Sequence, residues 1–335
     1  MRIAIVHNSI PLHAPPEDLD LLEQIEGIEA ALRRLGHETF RLECTLNLER
    51  VAEQLRAQKP DLIFNLVESL AGTDRLMVLA TALFEALQIP FTGSSSEAIL
   101  VSSNKLLAKR WIAQAGLPTA AWLAPGVAEH ARGVIGHDRE TAFPAHYIVK
   151  TQFEHASLGL DDHAVAVDAD LPSLRRRIEE RAARLGKPCF AERFIDGREF
   201  NVGVLAGKDG FQTLPPAEIL FEGYAAQKPR IVGYNAKWTA ESVEYVGTPR
   251  TFEFAASEHA LLEELQRLAL AACKLFGARG YARVDFRVDD QNRPWILELN
   301  CNPCLTPEAG FWAMLNQAGL TYDQAIERIA AACLH

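Results

Sequence analysis

Residues 281–304, YARVDFRVDDQNRPWILELNCNPC, hold two strand-like runs rich in Val, Ile and aromatic residues, separated by Asp289, Asp290, Gln291 and Asn292. Turn-forming residues between two such runs predict an antiparallel hairpin. Side chains alternate across a strand, so Arg283, Asp285 and Arg287 share one face and Ala282, Val284 and Phe286 the other. The same alternation puts Glu298 and Asn300 on one face of the second run, and Trp295, Leu297 and Leu299 on the opposite one. Two neighbouring strands then present Asp285, Glu298 and Asn300 together, with Arg283 beside them. Hard oxygen donors converging from rigid strands suit Mg²⁺, which keeps several waters and is usually shared with substrate phosphates. A solvated polar hairpin face would carry the same pattern.

Upstream of the hairpin, ASEHALLEELQRLALAACKLFG (256–277) has the apolar spacing of a long amphipathic helix. EFNVGVLAG (199–207) and GFQTLPPAEILF (210–221) read as antiparallel strands. Before them come strand HYIVKT (146–151), the Gly-containing loop EHASLGLDDH (154–163), a charged helix (171–186) and strand CFAERFI (189–195). Lys150 ends an apolar strand, and the loop after it has backbone amides that could cover phosphates, although a strand-end lysine is ordinarily just solvated.

The first hundred residues open as β-α-β-α-β: RIAIVHN (2–8), LLEQIEGIEAALRRLGHE (21–38), DLIFNLV (61–67), DRLMVLATALFEALQI (74–89) and PFTGS (90–94). This is a doubly wound α/β pattern. A dinucleotide fingerprint would need three glycines after the first strand, and VHNSIPLHAPPED has none. SSNKLLAKRWIAQAG (102–116) predicts a helix with a serine near its start, which sets a boundary near residue 95.

At 335 residues the chain exceeds the size at which one hydrophobic core stays single, so two or three packed units are expected. A formal net charge of −10 disfavours gripping nucleic acid or an anionic membrane, and points to small-molecule partners. The amino terminus offers neither a signal peptide nor a span, so a cytoplasmic location is expected. Six cysteines are scattered, and only Cys301 and Cys304 form a CxxC pair; without a second ligand pair a structural zinc site is not expected.

Taken in order, these segments resemble the ATP-grasp superfamily and, within it, the D-alanine:D-alanine ligase family. The resemblance runs through nearly the whole chain and is strongest in its second half. It implies an ATP-grasp fold, α/β (α+β overall), of three domains: a doubly wound amino-terminal unit (1–95), a central unit with a phosphate-covering flap (96–190) and a carboxy-terminal unit with the metal strands (191–335). ATP would bind between the last two. By the same resemblance Lys105, Lys150 and Ser157 contact phosphates. Glu192 and the backbone of Arg193, Phe194 and Ile195 face the base, and Glu199 holds the ribose. Lys150, Lys237 and Arg283 would serve the transferred phosphoryl group as the catalytic residues, and Asp285, Glu298 and Asn300 would hold Mg²⁺, two ions in number, or Mn²⁺ in its place.

The implied activity is ATP-dependent carboxylate–amine ligation through an acyl phosphate, with release of ADP and phosphate, by a homodimer acting on small-molecule carboxylate and amine substrates. Phosphorylation of a carboxylate alone, or ring closure within one molecule, uses the same machinery. A nucleotide-binding protein that does not ligate would be marked by loss of Arg283, Asp285, Glu298 or Lys150, and all four are present.

The substrate side departs from the family pattern. HNSIPLHAPPED replaces its Gly-Gly loop, leaving Glu17 near the acidic residue that receives the first ammonium. Asn65 and Glu68 stand in place of a His-Gly segment. Ala156 and Trp238 replace the serine and tyrosine of the flap network, Cys304 replaces a glycine, and Ala309 and Gly310 replace the serine-leucine pair. His155, Tyr224 and Trp238 are further pocket candidates. A buried site that has lost polar partners rejects its old substrate by roughly several kcal/mol, so another amino acid or amino carboxylate is expected.

Overall fold

The computed structural model describes residues 1–10, 16–124, 143–154, 157–207, 210–307 and 309–334, with the side chains of 16–18 outside that description. The chain begins with β1 (Arg2–Asn8), α1 (Pro16–Arg34), β2 (Glu38–Cys44), α2 (Leu48–Gln58) and β3 (Leu62–Leu66). These strands form a parallel sheet in the order β2-β1-β3, which Phe91 extends through a parallel bridge to Ile63. The expected opening lacked β2 and α2. β2 lies at the sheet edge with only Leu42 and Cys44 buried, so its residues show no apolar run. In α2 the buried Val51, Ala52 and Leu55 are a readable helical stripe.

After α3 (Val78–Ala86), the helix expected over 102–116 is divided between α4 (Ser96–Ser103) and α5 (Lys105–Gln114). Asn104 breaks it: with extended backbone it ends α4, and its side chain accepts from the Leu107 amide to cap α5. Lys105 thereby becomes the first residue of a helix.

A second, antiparallel sheet contains β4 (Trp122–Leu123), β5 (Ala145–Thr151), β6 (Val165–Asp168) and, after α6 (Leu171–Leu185), β7 (Cys189–Arg193), in the order β4-β7-β5-β6. A third contains β8 (Arg198–Gly207), β9 (Gly210–Thr213) and β10 (Ala217–Ile219). Then follow α7 (Tyr234–Trp238), α8 (Val243–Val246), β11 (Arg250–Thr251), α9 (His259–Phe276), β12 (Tyr281–Val288) and β13 (Pro294–Asn300). Its order is β11-β10-β8-β12-β13, with β9 on β8. The chain closes with α10 (Gly310–Gln317) and α11 (Tyr322–Ala331).

Alternation gives the third sheet two chemistries. Phe200, Val202, Val204, Val284 and Phe286 pack with Leu265, Leu268 and Phe276 of amphipathic α9 in one buried core. The intervening residues of the same strands face the other way. One grouping needs correction. Asp285 pairs with Glu298 but Phe286 pairs with Ile296, so the register slips at Leu297. This bulge sends Ile296 and Leu299 into the α9 core, turns Leu297 to the opposite face with Glu298, and sets Trp295 across from Arg287. Only Leu299 lies opposite the carboxylates as alternation alone required.

Candidate active site

The polar face of the third sheet floors a cavity of about 1020 Å³, whose walls come from all three sheets and α1. Register builds the floor in rows. Glu199, Arg287 and Trp295 stand across β8, β12 and β13; Asn201, Asp285 and Glu298 form the next row; Gly203, Arg283 and Asn300 the third.

Asp285 is the centre of this array. Arg283 donates to both of its oxygens at 2.7 and 2.8 Å, and Asn201 donates to Oδ1 at 2.7 Å. Burial alone would lower the Arg283 pKa, but Asp285 and Glu298 hold it above the ordinary value. Arg287 donates to the carbonyls of Ile195, Gly197 and Arg230 at 2.9–3.0 Å and to Glu199 at 3.1 Å, fixing the turn between β7 and β8. Burial outweighs Arg287 at Glu199 and raises that carboxyl above its usual value.

One wall carries a buried charge triad. Glu192 on β7 bonds Lys150 of β5 directly and Lys109 of α5 at 2.8 Å. Lys109 also donates to Thr119 Oγ1 at 2.8 Å and to the Ala120 carbonyl at 3.1 Å, and is itself almost wholly buried. Burial would raise the Glu192 carboxyl, yet the two lysines hold it down to about 2. Desolvation keeps Lys109 below its ordinary pKa despite Glu192. Lys150 is also desolvated, but Glu192, Glu298 and Glu199 together lift it.

Lys105 donates to the Glu154 carbonyl at 2.6 Å and lies 3.8 Å from Glu298. Lys237 on α7 is lowered, by burial first and then by Arg283. The segment after β5 is docked over the cavity. Ser157 donates to the Val232 carbonyl at 2.8 Å, and the Tyr234 amide to that of Leu160 at 3.0 Å. A Cβ on Gly233 would stand 2.5 Å from the Leu160 oxygen, so this close approach requires glycine. Lys228 joins Asp162 at 2.8 Å and Glu244 at 2.7 Å.

The cavity therefore gathers Lys105, Lys150, Ser157, Glu192, Arg193, Phe194, Ile195, Glu199, Lys237, Arg283, Asp285, Glu298 and Asn300, together with Glu68, Trp238 and Cys304. Asn65 is not on its wall: at 3 % exposure its side chain accepts from the Val67 amide at 3.1 Å and shapes the end of β3. Tyr224 is not there either, its ring packing edge-on to Phe221 and beneath Lys228. The Glu17 side chain, His155 and Ala156 lie outside the described residues. Sequence reading missed Asp20, Lys109, Asn201, Arg250 and the part played by Arg287. Lys109 had a signal, a lysine on the apolar stripe of α5 with Ile112 and Ala113, and Asn201 shares the polar face of β8 with Glu199.

Two antiparallel sheets with a charged cavity between sheet face and docked loop are the ATP-grasp fold. The crystal structure of D-alanine–D-alanine ligase from Bacillus anthracis complexed with ATP superimposes with a TM-score of 0.71 at 20% identity, over 100% of this chain and 97% of that one. The Coxiella burnetii enzyme gives 0.69 at 17% identity, over 100% and 94%. The family model D-ala D-ala ligase C-terminus matches residues 111–331. D-alanine–D-alanine ligase of Methylococcus capsulatus is 31% identical over 80% of this chain and 77% of its own length. The uncharacterized protein y4sG of Sinorhizobium fredii is 28% identical over 98% and 96%. The chain belongs to the D-alanine–D-alanine ligase family of ATP-grasp ligases. No helix among the described residues is long and apolar enough to cross a membrane.

Proposed function

We propose that the protein joins a carboxylate to an amine at the expense of ATP. The observation that carries this reading is the convergence of Lys105, Lys150, Lys237 and Arg283 on the same cavity as Asp285, Glu298 and Asn300. ATP would lie between the units 96–190 and 191–335, its base along Arg193–Ile195 and its ribose at Glu199. Lys105, Lys150 and Lys237 would hold phosphoryl oxygens.

The residues also fit a metal. No three His, Cys, Asp or Glu side chains form a metal cage among the described residues. Two carboxylates and an amide suit Mg²⁺, which completes its shell with water and phosphate oxygens. Bound by Asp285, Glu298 and Asn300, it would supply charge neutralisation at the phosphates.

In the first step a substrate carboxylate oxygen bonds to the γ-phosphorus and the bond to the ADP oxygen breaks. In the second the amine nitrogen bonds to the acyl carbon, the carbon–oxygen bond to phosphate breaks, and the amine proton leaves to solvent. Arg283 would stabilise charge on the phosphoryl group and then on the tetrahedral centre. The docked segment at Ser157–Leu160 would exclude water from the acyl phosphate. The departures at Ala156, Trp238, Cys304, Ala309 and Gly310 support substrates other than a pair of D-alanines.

The test is ADP release with Mg²⁺ and ATP across D- and L-amino acids, singly and in pairs, with products weighed by mass spectrometry and Glu298→Gln as control. Release that needs a pair, with a product lighter than the pair by one water, is expected. ATP binding without release under any combination would overturn the reading.

A further inference from the structure

The outer part of the cavity has a chemistry that its phosphate end lacks. Among the exposed large apolar side chains of the described residues, Leu19 (51%), Tyr245 (46%) and Val246 (69%) line the cavity. Leu22 and Val243, also exposed, lie three residues from Leu19 and Val246, so they extend the same faces of α1 and α8. Single exposed apolar residues need no explanation, but here two separate elements bring them to one cavity. Water left against them is released when an apolar group covers them.

Polar groups of the same cavity define the rest of the ligand. Asp20 and Glu23, from the same helix as Leu19, line the cavity. Carboxylates keep a neighbouring ammonium protonated, so an amino group placed there is held as a cation and does not attack. Ala309 and Gly310, which also line the cavity, project almost no side chain. Gly310 does not have the positive φ that demands glycine; a Cβ there would instead stand 3.0 Å from Arg250 Nε. A side chain at 310 would crowd Arg250, a cation lining the same cavity.

We propose that one substrate of the ligase is an α-amino acid with a large apolar side chain, of leucine or phenylalanine size. Its side chain packs on Leu19, Tyr245 and Val246 and its ammonium lies toward Asp20 and Glu23, so that it reacts through its carboxylate. This rests on the ligase reading above and names the substrate class of that site.

Phosphate release with Mg²⁺ and ATP is to be measured with glycine, alanine, leucine and phenylalanine of both stereochemical series, singly and in pairs. Leucine or phenylalanine is expected to show a KM at least about tenfold below that of alanine. The double variant Leu19→Asn/Val246→Asn is expected to raise that KM about tenfold while the KM for ATP stays within about twofold. Both positions are exposed, and circular dichroism with an ATP KM checks that the variant is folded. Equal KM values for alanine and leucine, or release with small amino acids alone, would overturn the inference and leave the ligase reading standing. A variant that changes oligomeric state on a sizing column without moving the amino-acid KM would also overturn it, assigning the patch to a second copy of the chain. No release with any amino acid while ATP binds would overturn the ligase reading itself, and this inference with it.

Discussion

Glu192 and Leu19 line the same cavity, yet Glu192 is 2% exposed and clasped by two lysines, whereas Leu19 is 51% exposed. The difference separates what folding completes from what a ligand completes. At the inner end Lys109, Glu192, Arg287 and Asp285 are buried and already bonded before any ligand arrives, Lys109 to Glu192, Arg287 to the Ile195 carbonyl and Asp285 to Asn201, so their positions are fixed in advance. Preorganised charge of this kind stabilises a reacting phosphoryl group without reorganisation at the moment of reaction. At the outer end apolar side chains meet water and gain their burial only when the cavity fills.

The largest way to break this contrast is Lys109→Met. It leaves Glu192 buried with one cation instead of two, and breaking a buried pair costs about 3–5 kcal/mol. Urea denaturation of the variant is expected to show a loss of that size. Lys109→Met/Glu192→Gln, which removes the stranded charge, is expected to recover most of it. A loss as small as that of Leu19→Asn, within about 0.5 kcal/mol as for surface changes generally, would mean that the inner charges are not committed to the fold.

Arg283→Met tests the same end through chemistry. Removing a donor aimed at transition-state charge costs about 3–4 kcal/mol, so kcat for phosphate release is expected to fall about 10²–10³-fold. A fall of less than about tenfold would place Arg283 with Arg287, as a group that shapes the floor.

Acid sharpens the comparison further. The Glu192 carboxyl is held at about 2 in the folded protein against an ordinary 4.5. A depressed carboxyl contributes stability above its unfolded pKa and loses it as the pH falls through the folded one. The contribution, roughly 3 kcal/mol, is therefore present above about pH 4.5 and lost towards pH 2. Stability measured over that window is expected to fall less steeply in Glu192→Gln. An identical slope would show that the triad does not carry the charge assigned to it.

The two ends also differ in how far sequence reveals them. The inner site was legible because its residues sit on strands whose alternation fixes the face, as with Arg283 and Asp285, and on a lysine at a strand end, Lys150. The bulge at Leu297 was not, since a slip in register leaves no mark on residue type. Lys109 carries only a partial mark, a lysine on the apolar stripe of α5, and its partner comes from the tertiary approach of β7. The outer end draws its groups from α1, α8 and the turn into α10, elements distant in the chain whose meeting no local pattern encodes. Asn65 shows the converse: a polar residue near the right place, spent on its own strand end.

Cys304 gives the smallest expected effect and a test of the outer end alone. Its thiol donates to Asp20 at 3.0 Å, lies 3.3 Å from the Thr306 hydroxyl, and accepts from the Thr306 amide at 3.4 Å, tying the turn after β13 to α1. Burial, then Asp20 and Glu68, push its pKa well above the ordinary thiol value, which leaves little thiolate at neutral pH. Its part is that of a small filler with weak sulfur bonds to Asp20 and Thr306. Cys304→Ala is expected to cost about 1 kcal/mol in urea denaturation, the worth of one hydrogen bond and a little packing. Iodoacetamide at pH 8 is expected to label Cys304 more slowly than free cysteine, read by peptide mass spectrometry. Fast labelling would place a reactive nucleophile among the exposed apolar groups, and the outer end would then hold preset chemistry of its own instead of waiting for its ligand.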